Sequence, residues 1–415
     1  MPGFVLSGGV MKKNGAVILI LIMLAGMILQ LAVLFIAMEP DEVEWFDPQD
    51  YIRIGRELAQ WQPFSTIENE RNLYFSPGYP YILAAMIKVV GPRVISIRLF
   101  HILLFPFFLY FLYRLGKDWK NELTGLILAA IALVYPFYIY VPLSLYPEAV
   151  LLYLLPFIAW LMLRNGRVPR WLSLLLSGAV IALAVMIRPT AIFIIPVFVF
   201  YVVFKSGWKF KKFLITGFLI CIIPVLAVSG WMLRNNSVHG KFIFSSAGGY
   251  NLLMSYNQNA SIRVKLDYPL PERIQQRIDN AATKEEVQVI AREETLDFIK
   301  NNPTKALKLA FFKQLDLWNP FPRTTTTSGF ARSQFKIIAA VPYILFLILG
   351  IFGLIRYRKD SFIIALVCLT LLNCLLNGII AVSVRYRLIT DFVFLLLAAT
   401  VIAQLWADRI KRKKA

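Results

Sequence analysis

Long apolar stretches limit what this chain can fold into. The first runs from Gly15 to Ala37 without a charged residue, and several later ones approach or exceed the ~20 residues that a helix needs to cross a bilayer. Hydrophobic residues make up 58% of the 415 residues and charged residues only 16%, too little polar surface for a water-soluble domain of this size. The sequence therefore predicts an all-α polytopic membrane protein.

About ten transmembrane helices are predicted, with further juxtamembrane helices. The spans lie near residues 15–38, 94–113, 122–141, 147–163, 171–187, 190–204, 213–233, 335–355, 361–382 and 388–406. The segment from Ser76 to Val90 is short and contains Lys88, so we interpret it as a juxtamembrane or re-entrant helix. Lys12 and Lys13 precede a first span longer than the ~7–15 residues of a signal-peptide core, so we expect a retained anchor.

The basic residues predict the orientation. The terminal tails and the loops after the second, fourth, sixth and eighth spans carry 20 of the 44 lysines and arginines, but only four acidic residues. Short basic loops mark the cytoplasmic side. We therefore expect a plasma-membrane protein with both termini in the cytoplasm. The net charge of +20 is thereby explained by topology and contact with the lipid bilayer, and no nucleic-acid partner is expected.

This topology divides the chain into six segments. They are an N-terminal tail and first span (1–38), an extracytoplasmic segment with juxtamembrane helices (39–93), a group of spans (94–233), a large extracytoplasmic loop (234–334), the C-terminal spans (335–406) and a basic tail (407–415). Apolar spacing predicts a surface helix over Asp47 to Gln60, with Tyr51, Ile54, Leu58 and Trp61 on one face.

Two helices are predicted in the large loop. The first begins with a capping box formed by Thr283 and Glu286 and runs to about Asn301. The second, from Pro303 to Phe321, is amphipathic and suits the membrane interface, with Lys313 away from its apolar face.

Carboxylates and arginines are predicted to gather on the extracytoplasmic side. A carboxylate can take a proton from a hydroxyl, and a guanidinium binds phosphate through two parallel hydrogen bonds. An arginine near hydrocarbon is costly without a partner, and a lipid phosphate is such a partner. Capping and interfacial anchoring are the alternative roles. The residues concerned are Asp47, Asp50, Glu148, Arg188, Arg234, Arg385 and Arg387.

Several short motifs, in their order along the chain, resemble those of a known family. They are Asp47 to Tyr51 with Ala59, Ser76 to Pro80, Gly91 with Arg98 and Leu99, Pro147 with Glu148, Arg188 with Pro189, Arg234 with Asn235, Gly248 to Leu252 with Asn257, and Arg385 with Tyr386. The chain resembles the membrane glycosyltransferases with the C-type fold, in particular the group similar to protein O-mannosyltransferases and aminoarabinose transferases. The resemblance covers roughly residues 15–406.

The resemblance implies a glycosyltransferase with a polyprenyl-phosphate-linked sugar as donor and an unknown hydroxyl acceptor on a protein, lipid or glycan. Asp47, or alternatively Asp50, would be the base of an inverting single displacement. Arg188, Arg385, Arg387 and Arg234 would bind the donor phosphate, and Glu148, Tyr79, Tyr386 and Asn251 the substrates. The cofactor question stays open: Asp47, Asp50 and Glu148 offer oxygen ligands for a divalent metal.

Two other classes remain open. A lipid or small-molecule transporter, or flippase, would also need intramembrane charges and contacts with lipid phosphate. The sequence shows no internal repeat and few charges in the middles of its spans, which disfavours a translocation path. A non-catalytic assembly subunit that holds a lipid or protein partner is the third interpretation.

Overall fold

Every regular element of the described chain is helical. The computed structural model describes residues 10–43, 46–64, 74–246, 248–260, 270–282, 284–321, 333–380, 384–388 and 390–414. Its helices are α1 (Val10–Ala37), α2 (Phe46–Ala59), α3 (Gly78–Val90), α4 (Val94–Trp119), α5 (Glu122–Leu133), α6 (Pro136–Leu143), α7 (Glu148–Arg167), α8 (Trp171–Ile187), a 3-10 turn (Pro189–Phe193), α9 (Ile194–Lys205), α10 (Phe210–His239), α11 (Gly248–Ser255), α12 (Glu272–Asp279), α13 (Lys284–Asn301), α14 (Pro303–Leu317), α15 (Ser333–Tyr357), α16 (Ser361–Ile380), α17 (Val384–Leu388) and α18 (Phe392–Lys414).

The chain is a multi-pass membrane protein. Among the described residues, seven helices are long and apolar enough to cross a membrane: α1, α4, α7, α10, α15, α16 and α18. An eighth span is formed if α5 and α6 count together. The predicted spans 171–187 and 190–204 form shorter apolar helices, as does the segment of α3.

The predicted span 122–141 is not a straight helix. It consists of α5 and α6, which meet at an angle of 61°. Tyr135 has an extended backbone and Pro136 follows it at the first position of α6. Proline has no N–H to continue the hydrogen bonding of α5 but suits a helix start, so the chain changes direction here.

Helix α7 lies at the centre of the bundle. It packs against α4, α8 and α9, and most of its residues are buried, including Glu148 at its first position. By contrast, few residues of the apolar helices α1 and α10 are buried, which is the pattern of helices that face lipid. The polar start of α7 is therefore enclosed by protein.

Helix α2 packs on α3 through the predicted face. Tyr51, Ile54 and Leu58 are buried, as expected. The prediction for Trp61 is wrong: its side chain is 85% exposed, because α2 ends at Ala59 and Trp61 adopts a left-handed backbone with φ of 63°. The Lys88 ammonium lies 3.1 Å from the centroid of the Trp61 ring, a cation–π contact that covers the exposed indole.

The large loop contains the two predicted helices, α13 and α14, although Thr283 lies outside the described residues. Leu307, Phe311 and Leu315 of α14 are exposed, as expected for an interfacial helix. Lys313 is fully buried. Its ammonium donates to the carbonyl of Ser255 at 2.9 Å, and this burial lowers the pKa of Lys313 to about 7.

Candidate active site

The end of the bundle at which α2 and α11 lie is called the loop side below. Asp47 lies there, in the first turn of α2, and its side chain is exposed. An aspartate in this position interacts favourably with the partial positive charge of a helix N-terminus. The carboxylate is thus held at the entrance of the candidate site, where solvent can reach it.

Three tyrosines connect Asp47 with the interior of the site. Burial raises the pKa of the Tyr51 phenol; Arg188 opposes the rise, and Glu148 and Asp47 add to it. The pKa of Tyr74 and that of Tyr146 are also raised, first by burial, with Asp47 contributing to each. The Asp47 carboxylate therefore lies within electrostatic range of all three phenols.

Glu148 and Arg188 form the buried ion pair of the site. Arg188 Nη2 donates to Glu148 Oε1, and the arginine side chain is 25% exposed against 1% for the glutamate. Arg188 Nε and Glu148 Oε2 are buried and have no hydrogen-bond partner among the described residues. The pair thus retains hydrogen-bonding capacity, and its cation is open to one side.

The sequence places Arg188 by ending α8. Arg188 has an extended backbone, because the proline that follows disfavours the helical conformation in the residue before it. Helix α3 begins directly beside this end: a Cβ on Gly78 would lie 2.6 Å from the carbonyl carbon of Met186. Only glycine permits this close approach of α3 to α8.

Tyr79 follows Gly78 and anchors the turn before Glu148. Its hydroxyl donates to the carbonyl of Leu145 at 2.7 Å, and its side chain is fully buried. Leu145 has a φ of 58°, a left-handed conformation that is unfavourable for a residue with a branched side chain. Tyr79 therefore stabilises a strained turn behind the candidate site.

Helix α17 brings Arg385 and Tyr386 to the same place. The Arg385 guanidinium lies 3.7 Å from the centroid of the Tyr146 ring, and that of Arg188 lies 4.9 Å from the centroid of the Tyr386 ring. Burial lowers the pKa of Arg385, but Glu148 and neighbouring tyrosines raise it overall, and Arg188 acts in the opposite direction. Two guanidiniums thus approach one carboxylate.

Asn251 is connected to the candidate site by a hydrogen bond to Tyr74. It lies on α11, in the large loop. Since Asp47 acts on the same phenol, α11 forms part of the wall near the entrance.

Three predicted residues lie outside this group. Asp50 is half-buried and pairs with Arg53 at 3.6 Å within α2. Arg234 packs over the rings of Trp231 and Phe64, at 4.8 and 5.7 Å. Arg387 is fully buried in a separate cluster with Asp391, where no donor phosphate can reach it, so its predicted role as a phosphate ligand does not fit the structure.

The sequence analysis did not assign Tyr51, Tyr74 and Tyr146 to the site, although Tyr51 belongs to the motif that begins at Asp47. Two of these residues stand at informative positions: Tyr51 is four residues after Asp47, one helical turn on, and Tyr146 is two residues before Glu148. Tyr74 has no comparable pattern, since its position depends on the packing of distant segments.

The carboxylates do not gather into a metal site. Within the part of the chain that the structure describes, no three histidine, cysteine, aspartate or glutamate side chains are grouped closely enough to hold a metal ion. Asp47, Asp50 and Glu148 therefore form no such group.

Comparisons with known proteins agree with the architecture. Residues 75–231, which include Tyr79, Glu148 and Arg188, match the family model of the dolichyl-phosphate-mannose-protein mannosyltransferases. The structure is similar to the oligosaccharyltransferase of Archaeoglobus fulgidus in the apo form, with a TM-score of 0.59 and 11% identity. The chain has the C-type fold of membrane glycosyltransferases.

The oligosaccharyltransferase AglB from Archaeoglobus fulgidus, in complex with an inhibitory peptide and a dolichol-phosphate, gives a TM-score of 0.53 at 11% identity. Each alignment covers 97% of this chain and 52% of the archaeal chain, so the chain spans about half the length of these structures. ArnT of Cupriavidus metallidurans bound to undecaprenyl phosphate gives 0.45 at 14% identity, over 93% of this chain and 77% of that one, a score that supports no inference. No curated protein matches by sequence.

Proposed function

We propose that the protein is a membrane glycosyltransferase that moves a sugar from a polyprenyl-phosphate-linked donor to a hydroxyl acceptor. The observation that carries the proposal is the meeting of Arg188 and Arg385 beside Glu148, within electrostatic range of the tyrosines that also neighbour Asp47. The family model matched by residues 75–231 and the dolichol-phosphate of the archaeal oligosaccharyltransferase complex support this class of donor.

The charges of the site favour an anion. Arg188 and Arg385 bring two positive charges and Glu148 supplies one negative charge, so the enclosed group retains an excess of positive charge. Two neighbouring guanidiniums repel each other, and a phosphate between them removes that repulsion and accepts their hydrogen bonds. The lipid part of the donor would remain in the bilayer.

The reaction follows from this arrangement. Asp47 takes the proton of the acceptor hydroxyl, whose oxygen attacks the anomeric carbon of the donor sugar. The bond between that carbon and the phosphate oxygen breaks, and the lipid phosphate leaves with the electron pair. Arg188 and Arg385 stabilise the charge that develops on the leaving oxygen. A single displacement inverts the configuration of the anomeric carbon.

Asp47 is the better base of the two aspartates. Asp50 forms an ion pair with Arg53 within α2, whereas Asp47 acts on Tyr51, Tyr74 and Tyr146. Tyr386 lies beside Arg188 and Asn251 beside Tyr74, and we expect both to contact the sugar or the acceptor.

The test compares the wild type with Asp47→Asn and with Asp50→Asn as the matched control. The proteins are reconstituted in nanodiscs, and release or transfer of sugar is followed with a panel of radiolabelled polyprenyl-phosphate sugars. We expect Asp47→Asn to lower turnover about 100-fold or more and Asp50→Asn to change it only a few-fold. Equal turnover of wild type and Asp47→Asn contradicts the assignment of the base.

The orientation is part of the proposal. We infer that the loop side is extracytoplasmic and that both termini are cytoplasmic, because the short basic segments lie opposite the site. A fluorescent protein fused to the C-terminus should fold and fluoresce, whereas a phosphatase that is active only outside the cytoplasm should remain inactive there. An active phosphatase fusion would show that the C-terminus lies outside the cytoplasm and contradict this orientation.

Accumulation of lipid in one leaflet without sugar transfer would favour the transporter over the glycosyltransferase.

A further inference from the structure

Two arginines of α17 have opposite surroundings. This helix has five residues, and Arg385 and Arg387 are two positions apart. At 3.6 residues per turn, side chains two positions apart project about 200° from each other. Arg385 stacks on Tyr146 in the candidate site, whereas the Arg387 guanidinium lies 4.0 Å from the centroid of the Tyr343 ring, in α15.

Arg387 belongs to a closed network of polar groups. Its Nε lies 3.2 Å from Asp391 Oδ1, and its Nη1 donates to the carbonyl of Leu317 at 2.9 Å. The Tyr135 hydroxyl donates to Asp391 Oδ2 at 2.7 Å. Arg387 is fully buried, and Tyr135 and Asp391 are exposed by no more than 3%. These groups are therefore almost fully enclosed, with a cavity about the size of one water molecule against Tyr135, Tyr343 and Asp391.

The network joins four parts of the fold to α17. Asp391 precedes α18, Leu317 is the last residue of α14, Tyr343 lies in α15, and Tyr135 lies at the bend between α5 and α6. A second contact holds the backbone of α17: Asn373 Nδ2 of α16 donates to the carbonyl of Tyr386 at 2.6 Å. The helix is therefore fixed from the face that points away from the site.

Such fixation is needed because α17 is short. A helix of five residues is not stable alone, since too few hydrogen bonds offset the cost of its nucleation. Its orientation must come from side chains that bind the surrounding helices. An enclosed and neutralised arginine serves this purpose, and it cannot also bind a donor phosphate.

We propose that Arg387, Asp391 and Tyr135 form a positioning cluster that holds α17 so that Arg385 and Tyr386 face the donor phosphate. The proposal rests on the proposed function. These three residues act through Arg385 and do not touch the substrate.

The test uses Arg387→Met with Asp391→Leu, which removes the ion pair without leaving one charge buried alone. Paired replacement of this kind is often neutral for stability. The matched control is Lys117→Met with Glu122→Leu, which removes a 3.0 Å ion pair between α4 and α5, on the side opposite the site. Binding of undecaprenyl phosphate to each full-length protein is titrated by native mass spectrometry.

We expect the Kd for undecaprenyl phosphate to rise about tenfold or more in the double variant, since misplacement of a binding group by about 1 Å is costly. The control pair should bind like wild type. The same double substitution in an Arg385→Gln background should add less than about a twofold loss, because the cluster acts through Arg385. Unchanged binding in the double variant, or a full additional loss in the Arg385→Gln background, would overturn the proposal.

Tyr135→Phe keeps the test decisive if the double variant does not fold. It removes one hydroxyl, and we expect about a threefold rise in the Kd that disappears in the Arg385→Gln background. Binding identical to wild type in both backgrounds would refute the positioning role. A wild-type protein that does not bind undecaprenyl phosphate would instead contradict the proposed function itself, so the two failures are distinguishable.

Discussion

Two buried ion pairs of this protein differ in what can reach them. Arg188 pairs with Glu148 and exposes a quarter of its side chain, whereas Arg387 pairs with Asp391 and exposes none. Each arginine retains one nitrogen without a hydrogen-bond partner among the described residues, so unused hydrogen-bonding capacity does not separate them. The two arginines differ in access: Arg188 can receive a ligand and Arg387 cannot.

The difference teaches how one type of residue serves two purposes in a membrane protein. A guanidinium that is open on one side can bind an anion. A guanidinium enclosed by a carboxylate, a carbonyl and an aromatic ring joins the helices that surround it. The predictions below test this distinction between the accessible pair, Arg188 with Glu148, and the enclosed pair, Arg387 with Asp391.

The largest effect is expected on stability, at the enclosed pair. Asp391→Leu leaves the charge of Arg387 buried without its carboxylate, which should lower the free energy of unfolding by about 3–5 kcal/mol. Glu148→Gln should cost less, because Arg188 can turn its charge towards solvent. Thermal unfolding in nanodiscs measures both. An equal loss for the two variants would remove the distinction.

The rate of sugar transfer should depend more on the accessible pair than on the enclosed pair. Arg188→Gln removes a cation that stabilises the leaving phosphate in the proposed mechanism, and we expect sugar transfer to slow about 100- to 1,000-fold. The thermal midpoint should fall less than in Asp391→Leu, because Arg385 remains beside the buried carboxylate of Glu148. Radiolabelled donor in single-turnover experiments separates sugar transfer from donor binding. If the variant binds the donor poorly but transfers the sugar at the normal rate, Arg188 contributes to donor binding and not to the stabilisation of the transition state.

A pH effect of intermediate size is expected at a third enclosed cation, Lys313. Burial lowers the pKa of Lys313 to about 7, from an ordinary 10.5. Between these values the unfolded chain binds the proton and the folded protein does not, so the free energy of unfolding rises from about pH 7 to about pH 10. We expect the thermal midpoint to rise by several degrees over this interval. Lys313→Met should abolish the rise, and its persistence would assign the pH effect to another group.

The smallest effect is expected behind the accessible pair. Tyr79→Phe removes the hydrogen bond to the carbonyl of Leu145, worth about 0.5–1.5 kcal/mol, and relaxes the turn that precedes Glu148. Donor KM should rise a few-fold with kcat nearly unchanged. Tyr153→Phe, which removes a 3.1 Å hydrogen bond to the carbonyl of His101 in the same bundle, is the matched control. An equal rise in both would indicate a general loosening of the bundle.

Much of the fold could be predicted from composition and spacing, because a bilayer admits few structures. The apolar run after Gly15, the helix that starts near Asp47 and the amphipathic helix from Pro303 all depend on local periodicity. The bend at Tyr135 was missed, since its apolar surroundings read as a continuous span.

The site could be predicted only in part. Glu148, Arg188 and Arg385 follow from charge beside apolar segments, and the structure brings them together. The same reasoning treated Arg387 as equivalent to Arg385, because sequence shows the presence of a charge but not the face of a short helix on which it lies. The carboxylate that neutralises Arg387 is four residues away, and its role depends on the packing of α14 and α15.

The five-residue helix α17 makes the spacing of its arginines as important as their chemistry. Deleting Tyr386 would leave both guanidiniums in the chain and yet rotate whatever follows by about 100°. The enclosed carboxylate of Asp391 would then lose its cation, or the candidate site would lose one of its two arginines. A chain of this architecture can therefore exchange an arginine of α17 for another side chain at some cost. It cannot change the number of residues between the two arginines.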